Sequence, residues 1–237
     1  MSLKPTSTSY ALLGLLSVRP WSAYELAQQM TRSLAHCWQV APSVVYHEPK
    51  RLVAMGYATM TRQQAGRRTR AVYRITPAGR DALRQWLATP PAAPQVQMEP
   101  MLRLLFADSG TAEELAASLR ALREWADRLL QIGAHQCTDY LDTGGPFPAR
   151  LDLIALFAEF FAQLYAMTGE WAQRAEDDVA RWPATTRPGL SPHTRERLQA
   201  VVDHARRRGL PGTGNHSTAP PRVAPGHNDV PASWPRK

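Results

Sequence analysis

The chain has 237 residues, which is long enough for one or two domains with a buried core. Its formal net charge of +8 is consistent with a polyanionic partner, and its two cysteines, Cys37 and Cys137, are too few and too far apart for a disulfide framework. No run of about 18 consecutive apolar residues is present, and the first apolar stretch lacks a small-residue cleavage site, so we expect a soluble cytoplasmic protein.

The charge is unevenly distributed along the chain. Residues 1–90 contain 12 Lys and Arg against 3 Asp and Glu, a net +9, whereas residues 91–183 contain 7 against 14, a net −7. Residues 184–237 contain 9 against 3, a net +6. A basic first segment joined to an acidic second one predicts nucleic-acid contact at one end and a different role at the other.

Two helices are predicted in the first 35 residues. The first is capped by Ser7 or Thr8 and carries the apolar positions of "YALLGLLSV". The second begins at a capping box, in which Ser22 and Glu25 satisfy each other's backbone amides, and extends to about Ala35.

A third helix, a hairpin and a fourth helix follow. The third helix begins at Pro42, because proline is tolerated at the first helical position, and ends before Gly56. The runs "YATMTR" and "RAVYRIT" have strand composition, and Gly66 lies between them in a predicted turn. Thr76 then caps a helix that has Pro77 as its first residue.

The second half is predicted to be helical. After the proline-rich "ATPPAAPQVQ", a capping box at Thr111 and Glu114 starts a helix with a coiled-coil-like seam. A second long helix, about 148–181, is apolar over most of its circumference in the middle, so it requires cover from its own domain and from another chain. The tail is proline-rich, and its basic helix at 191–208 could contact DNA, an acidic membrane surface or the acidic helical segment.

These elements predict a mainly α fold with a small β-hairpin. A winged helix-turn-helix domain is expected at 1–90, a linker at 91–97, a C-terminal helical dimerisation domain at 98–182, and a largely disordered tail at 183–237. In a winged helix-turn-helix the third helix enters the major groove of double-stranded DNA and the hairpin wing lies on the backbone or the minor groove. Five arginines cluster around the predicted wing and are candidates for phosphate contact: Arg62, Arg67, Arg68, Arg70 and Arg74. The alternative is a solvated arginine-rich loop.

The first segment resembles the PadR family of transcriptional regulators. The resemblance rests on "YALLGLLSVRPWSAYEL", "VVYHEPKRLVAMGYA" and "AVYRITPAGRDALRQWL", and it covers roughly residues 8–90. The helical half, 98–182, is similar in layout more than in motif, and the tail does not match. The family pattern implies a homodimeric DNA-binding regulator, typically a repressor.

The resemblance places Tyr46 at the tyrosine of the recognition helix. Ser43, His47 and Lys50 share one face by their spacing of four and three, and Tyr46 borders that face. These side chains, together with Arg51, can hydrogen-bond phosphates or base edges. Tyr46 could equally be a partly buried aromatic between helices.

Pro49 departs from the family pattern, which has a leucine there. A proline inside a helix removes one backbone hydrogen bond and crowds the carbonyl four residues earlier, here that of Val45, at a cost of about 3 kcal/mol. Because Tyr46, Leu52 and Gly56 keep their register, we predict a helix that is kinked near Pro49.

The predicted function is a PadR-like repressor that binds a pseudo-palindromic operator as a homodimer. The family implies that a small aromatic effector could release it. Candidate walls of an effector pocket are Trp86, Trp125, Tyr165 and Trp171, for which core packing is the alternative. A different hypothesis is a protein-interaction adaptor that uses the winged helix as a platform and the basic tail to bind an acidic partner.

The sequence does not predict an enzyme. It has no glycine-rich phosphate loop and no nucleophile motif, and its seven histidines form no HxxxH or HExxH pair. We therefore expect no catalytic residues, no metal site and no cofactor.

Overall fold

The structure is a computed structural model that describes residues 3–65, 68–186 and 189–209, and only the backbone at residues 65 and 68. The chain divides into two compact units, and the boundary falls between Pro94 and Gln95. That boundary lies within the segment 91–97 that the proline-rich composition marks as a linker. Most of the tail, from residue 210 onward, lies outside the described residues.

The first unit has the element order of a winged helix-turn-helix. Its described elements are α1 (Ser7–Val18), β1 (Trp21–Ser22), α2 (Ala23–Gln29), a π-helical turn (Met30–Leu34), α3 (Pro42–Ala54), β2 (Ala58–Ala65), β3 (Arg68–Ile75) and α4 (Pro77–Leu87). Strand β3 lies between β1 and β2 and is antiparallel to both. The two predicted strands of the hairpin are confirmed, and the predicted turn at Gly66 lies outside the described residues. Strand β1 was not predicted, because two residues are too few to show an alternating pattern.

The start of α1 differs from the prediction. Thr6, and not Ser7 or Thr8, is the N-cap residue: its hydroxyl accepts a hydrogen bond from the Ser9 amide at 3.3 Å. The Ser9 hydroxyl accepts in return from the Thr6 amide at 2.8 Å. Only Thr6 has a partner at the third helical position that can return this bond, which is the physical reason for the shift.

The predicted capping box of the second helix is confirmed. The Glu25 amide donates to the Ser22 hydroxyl at 3.2 Å, and the Ser22 amide donates to the Glu25 carboxylate at 2.7 Å. The α-helix ends at Gln29, earlier than the predicted Ala35, because the chain continues as a π-helical turn with wider hydrogen bonding.

The core of the first unit is formed by α1, α2, α3 and the base of the sheet. Its fully buried side chains include Leu12, Leu13, Leu16, Trp21, Leu26 and Leu52. Burial of a leucine side chain contributes about 1.5–3 kcal/mol, so this core fixes α3 against α1 and α2.

Thr76 and Gly79 join the end of the sheet to α3 and α4. The Thr76 hydroxyl accepts from the Gly79 amide at 3.0 Å and donates to the Gly56 carbonyl at 2.7 Å, while the Thr76 amide donates to the Tyr57 carbonyl at 3.0 Å. Gly79 itself lies so close to the chain at Tyr57 that an added Cβ would be 2.1 Å from the Tyr57 carbonyl oxygen. The turn after α3 is therefore tied to the base of the wing.

The second unit is helical in its described residues. Its elements are α5 (Glu99–Leu105), a 3₁₀ turn (Ala107–Ser109), α6 (Ala112–Thr143), a 3₁₀ turn (Pro148–Arg150), α7 (Leu151–Val179) and α8 (Pro192–Arg207). The capping box at Thr111 and Glu114 is confirmed, with the Thr111 amide donating to the Glu114 carboxylate at 2.9 Å. Gly144 ends α6 in a left-handed conformation with φ 72°.

Helices α6 and α7 pack along each other. Of the predicted seam on α6, the first four positions are buried: Leu115, Leu119, Leu122 and Ala126. On α7 the buried positions lie toward the C-terminal end, at Tyr165, Thr168 and Ala172. The seam is thus closed at one end of the pair, and its other end is only half-buried.

One face of α7 is apolar and exposed. Its exposed residues, spaced by three and four, are Leu153, Leu156, Phe160, Leu164 and Met167. By length and composition the segment Pro148–Val179 could cross a membrane, although core helices of soluble proteins satisfy the same criterion. The opposite face of α7 packs on α6, so the apolar side chains of the exposed face are the part of α7 that this chain leaves in contact with solvent.

Helix α8 contacts the end of α7 through Asp178. This carboxylate is buried, and it lies 2.7 Å from the Arg197 guanidinium and 3.1 Å from the His193 ring. Burial opposes its ionisation, but the hydrogen bonds from His193 and Arg181 and the charge of Arg197 outweigh burial and lower the pKa of Asp178 below its ordinary value. Of the three roles open for the tail helix, the described contacts support packing on the acidic helical segment.

Candidate nucleic-acid interface

Helix α3 runs without interruption through Pro49. It has Pro42 at its first position, Pro49 in its interior and Gly56, with φ 75°, just beyond its end. The predicted helix is confirmed, and the bend at Pro49 stays a prediction. The Pro49 ring is buried, so it replaces part of the packing that the family's leucine would supply.

The two faces of α3 have different chemistry. Val45, Glu48, Pro49 and Leu52 are buried. On the other face Ser43, Tyr46, His47 and Lys50 are all exposed. Tyr46 is 43% exposed, so its phenol is available to a ligand and does not fill a gap between helices. The four side chains that the sequence placed on the recognition face are therefore presented together.

Glu48 is a buried carboxylate that sequence reasoning did not single out. Only 2% of it is exposed, and it accepts a short hydrogen bond from the hydroxyl of Ser9 in α1. Its second oxygen lies 2.7 Å from the guanidinium of Arg51. The spacing of three from Val45 and four from Leu52 was a signal that Glu48 faces the core.

Arg51 is placed differently from the other candidate DNA-binding residues. One arm of its guanidinium pairs with Glu48, and the other donates to the backbone carbonyl of Lys4 at 3.2 Å. Its side chain is 37% exposed. Arg51 thus connects α3 to the N-terminal segment, whereas Lys50 extends into solvent.

The wing distributes its arginines over both faces of the ribbon. Arg62 is opposite Ala71, Arg70 is opposite Gln63, and Arg74 is opposite Thr59. Because paired residues share a face and successive residues alternate, Arg70 and Arg74 lie on one face and Arg62 on the other. Arg67 lies outside the described residues, and Arg68 is described only as backbone in β3.

The three acidic residues described in the first unit, Glu25, Glu48 and Asp81, are all engaged locally. Glu25 is in its capping box beside Arg19, Glu48 is paired with Arg51, and Asp81 is paired with Arg84. Burial opposes ionisation of Glu25, but the hydrogen bonds from Ser22 and the charge of Arg19 outweigh it and lower the pKa of that carboxyl.

Local pairing of the acids leaves the basic side chains of the surface free. Among the described residues, no carboxylate lies within ion-pair distance of Lys50, Arg62, Arg70 or Arg74. The exposed face of α3 and the wing therefore present uncompensated positive charge, which phosphates can neutralise with release of counterions.

The four candidate effector residues do not lie in one unit. Trp86 belongs to the first unit, where it stacks on Tyr10 with ring centroids 4.9 Å apart. In the second unit Trp125 meets Tyr165 edge to face at 5.5 Å. Trp171 packs against the α6–α7 core beside Leu115 and Leu119, with Trp182 on the same cluster.

The chain matches a known family over this same surface. The model of the "Transcriptional regulator PadR-like family" matches residues 12–85, from α1 to α4. The matched residues form a PadR-like domain that includes α3 and the wing.

Comparisons with individual proteins agree with this assignment. The chain is 31% identical over 99 residues to the negative transcriptional regulator PadR of Bacillus subtilis. That alignment covers 41% of this chain and 54% of the relative, so the chain spans about half of the relative's length.

Solved structures extend the similarity to the fold. Bacillus subtilis PadR in complex with operator DNA superposes with a TM-score of 0.63 at 20% identity and covers 73% of this chain and 99% of that chain. The same regulator in complex with p-coumaric acid gives a TM-score of 0.58 at 20% identity, covering 74% and 100%. The PadR-like fold therefore includes part of the helical second unit.

Proposed function

We propose that this protein is a DNA-binding transcriptional regulator that acts as a dimeric repressor. The observation that supports the proposal most strongly is the exposed α3 face of a PadR-like domain, which presents Ser43, Tyr46, His47 and Lys50 together. Within the described part of the chain, no carboxylate pairs with Lys50. Arg62, Arg70 and Arg74 add unpaired charge on the wing. This is a DNA-binding surface and not a catalytic one, and the proposed site of action is the cytoplasm.

In the proposed mechanism, α3 and the wing contact different parts of the DNA. Helix α3 enters the major groove, where Tyr46 and His47 approach base edges and Ser43 and Lys50 approach phosphates. The wing lies along the backbone, with Arg70 or Arg74 toward the minor groove. Repression follows when the bound protein occupies a promoter. The relative from Bacillus subtilis is named a negative regulator, which supports this sign of control.

The proposed dimer forms through α7. Its exposed apolar face repeats over four turns, and a second copy would remove it from water. A two-fold dimer presents two recognition helices to half-sites one helical turn apart, roughly 34–36 Å. The operator is then a pseudo-palindrome.

The proposed effector is a small aromatic acid that binds beside Trp125 and Tyr165. These rings lie between α6 and α7, and the structural relative is known in complex with p-coumaric acid. Adding p-coumaric acid to the preformed protein–DNA complex should release DNA. Release that persists unchanged in Trp125→Ala would overturn this placement of the effector, and no release at millimolar concentration would overturn the compound class.

Selection of bound duplexes from a random pool tests the central proposal. We expect a motif with two-fold symmetry. Arg70→Ala and Arg74→Ala should each weaken binding to all sequences alike. Because the dimer carries two copies of each residue, each variant should reduce the slope of log affinity against log salt by about 1.8. Arg128→Ala, which removes an exposed charge from α6, serves as the control and should leave the slope unchanged.

His47→Ala tests the role of the recognition helix in the same assay. It should relax the preference at one position of each half-site while leaving the rest of the motif intact. Failure to enrich any motif, together with weak binding that survives the wing substitutions, would refute the regulator proposal and favour a protein-interaction platform.

A further inference from the structure

The N-terminal segment is attached to the recognition helix by Arg51. We propose that Lys4, held in place by this attachment, is a further phosphate-contacting residue, and that Arg51 is a positioning residue that acts through Lys4. The inference rests on the proposed DNA-binding function and adds to it an element outside the helix and the wing.

The guanidinium of Arg51 is already committed within the protein. Its Nη1 lies 2.7 Å from Glu48 Oε2, and its Nη2 donates to the Lys4 carbonyl at 3.2 Å. Glu48 is itself buried and anchored to Ser9, so the carboxylate that orients Arg51 cannot swing outward without breaking a buried hydrogen bond. A phosphate contact by Arg51 would require giving up one of these partners.

The segment that Arg51 holds is fixed at two further points. The Thr6 hydroxyl caps α1 through Ser9, and the buried Thr8 hydroxyl accepts from the Trp38 indole at 3.0 Å. Trp38 belongs to the loop that leads into α3. Residues 4–8 are therefore bonded both to α3 and to the loop before it.

Lys4 is the residue of this segment that can interact with DNA. It is exposed, and among the described residues no carboxylate lies within ion-pair distance of it. Its backbone carbonyl accepts a hydrogen bond from Arg51. Arg51 follows Lys50 in the chain, and Lys50 is exposed on α3. A flexible lysine stem lets the ammonium reach a phosphate as a point charge without precise geometry.

Salt dependence separates a direct contact by Arg51 from an indirect one. With the selected operator duplex, Lys4→Met should reduce the slope of log affinity against log salt by about 1.8, the value for one phosphate in each half-site. Arg51→Lys keeps the charge but has no planar fork to bond Glu48 and the Lys4 carbonyl together. We expect Arg51→Lys to reduce the slope by the same amount, about 1.8, and the double variant to reduce it by no more than either single variant.

The alternatives predict different results. If Arg51 contacts phosphate itself, Arg51→Lys keeps the full slope or the double variant loses two contacts in each half-site, and either result overturns the inference. An unchanged slope in Lys4→Met overturns it as well. Because the Lys4 side chain is exposed, that variant should fold normally, and it decides the question even if Arg51→Lys is unstable.

Two controls distinguish the test of the Lys4 contact from the test of the proposed DNA-binding function. Arg128→Met removes one distant charge and should leave the slope unchanged. Wild-type protein that binds no duplex would refute the proposed function. Wild-type binding that weakens in Arg70→Ala but not in Lys4→Met would refute only the role of Lys4.

Discussion

The hydroxyl of Ser9 in α1 donates a hydrogen bond to the carboxylate of Glu48 in α3, across 39 positions of sequence. Ser9 is fully buried and Glu48 is almost so, which makes this a polar contact inside the core of the first unit. It joins the first turn of α1 to the middle of α3. The orientation of α3 therefore depends on a polar pair as well as on leucine packing.

Removing either partner should destabilise the fold. Glu48→Ala leaves the buried Ser9 hydroxyl without its acceptor, and Ser9→Ala leaves a buried carboxylate with fewer donors, so each should cost about 1–3 kcal/mol. The double variant should cost less than the sum, because the two residues share one interaction. Urea unfolding of the four proteins measures this, and strictly additive costs would show that the pair is not coupled.

Gly79 should tolerate no side chain. In Gly79→Ala the new Cβ would be 2.1 Å from the Tyr57 carbonyl oxygen, so the backbone must shift, at a cost of about 1–3 kcal/mol. Gly14→Ala is the matched control, since nothing lies within 4 Å of the added Cβ in α1. There we expect a gain of about 0.5–1 kcal/mol from the higher helix propensity of alanine. Equal effects at the two glycines would contradict the close approach at Gly79.

The spacing of residues along α3 predicted correctly which side chains are exposed, but it did not identify every side chain that is buried. The steps of four and three that join Ser43, His47 and Lys50 are a property of the helix alone, and the structure presents these residues together. Glu48 was overlooked because a carboxylate is normally exposed. Its burial depends on Ser9 and Arg51. The contact with Ser9 is a tertiary contact, which the periodicity of one helix cannot predict.

The distinction between local patterns and tertiary contacts also explains where the other predictions agree with the structure and where they differ from it. The capping box at Ser22 and Glu25 is a local pattern and was predicted from sequence. Strand β1 exists because Trp21 and Ser22 pair with Tyr73 and Val72, some fifty residues further along the chain. A segment of two residues has no sequence pattern that predicts such a pairing. The cap at Thr6 was missed because serine, in place of glutamate or glutamine, returns the hydrogen bond.

Pro49→Ala tests the predicted bend in α3. It supplies an amide that can donate to the Val45 carbonyl and removes a penalty of about 3 kcal/mol, but it also loses buried ring atoms. We expect little net change in the free energy of unfolding and a clear loss of affinity for the selected operator, because the first two turns of α3 change their angle. Titration of the operator measures the affinity, and unchanged affinity would mean that binding needs no bend.

Acid should detach α8 from α7. The pKa of Asp178 is lowered in the folded protein, so its contribution is present above the unfolded value of about 3.9 and is lost as the pH falls through the folded value, which is lower still. The protection factors of the α8 amides, which compare their exchange with that of an unfolded chain at the same pH, should therefore fall below about pH 4. Asp178→Asn should show this loss of protection already at neutral pH. Asp177→Asn, whose carboxylate accepts only from Gln173 among the described contacts, should not.

Charge placed on the exposed face of α7 should dissociate the proposed dimer. Phe160 is 61% exposed in the single chain, and its T-shaped contact with Phe161 does not cover it. In Phe160→Glu, dimerisation would bury two carboxylates without partners, a cost that exceeds the apolar gain. Sedimentation at micromolar concentration should then show a monomer, and affinity for the two-fold operator should fall toward that for a half-site. Leu198→Glu on α8, also exposed, is the matched control and should remain dimeric. A wild-type monomer, or a dimer that persists in Phe160→Glu, would exclude this face of α7 as the interface.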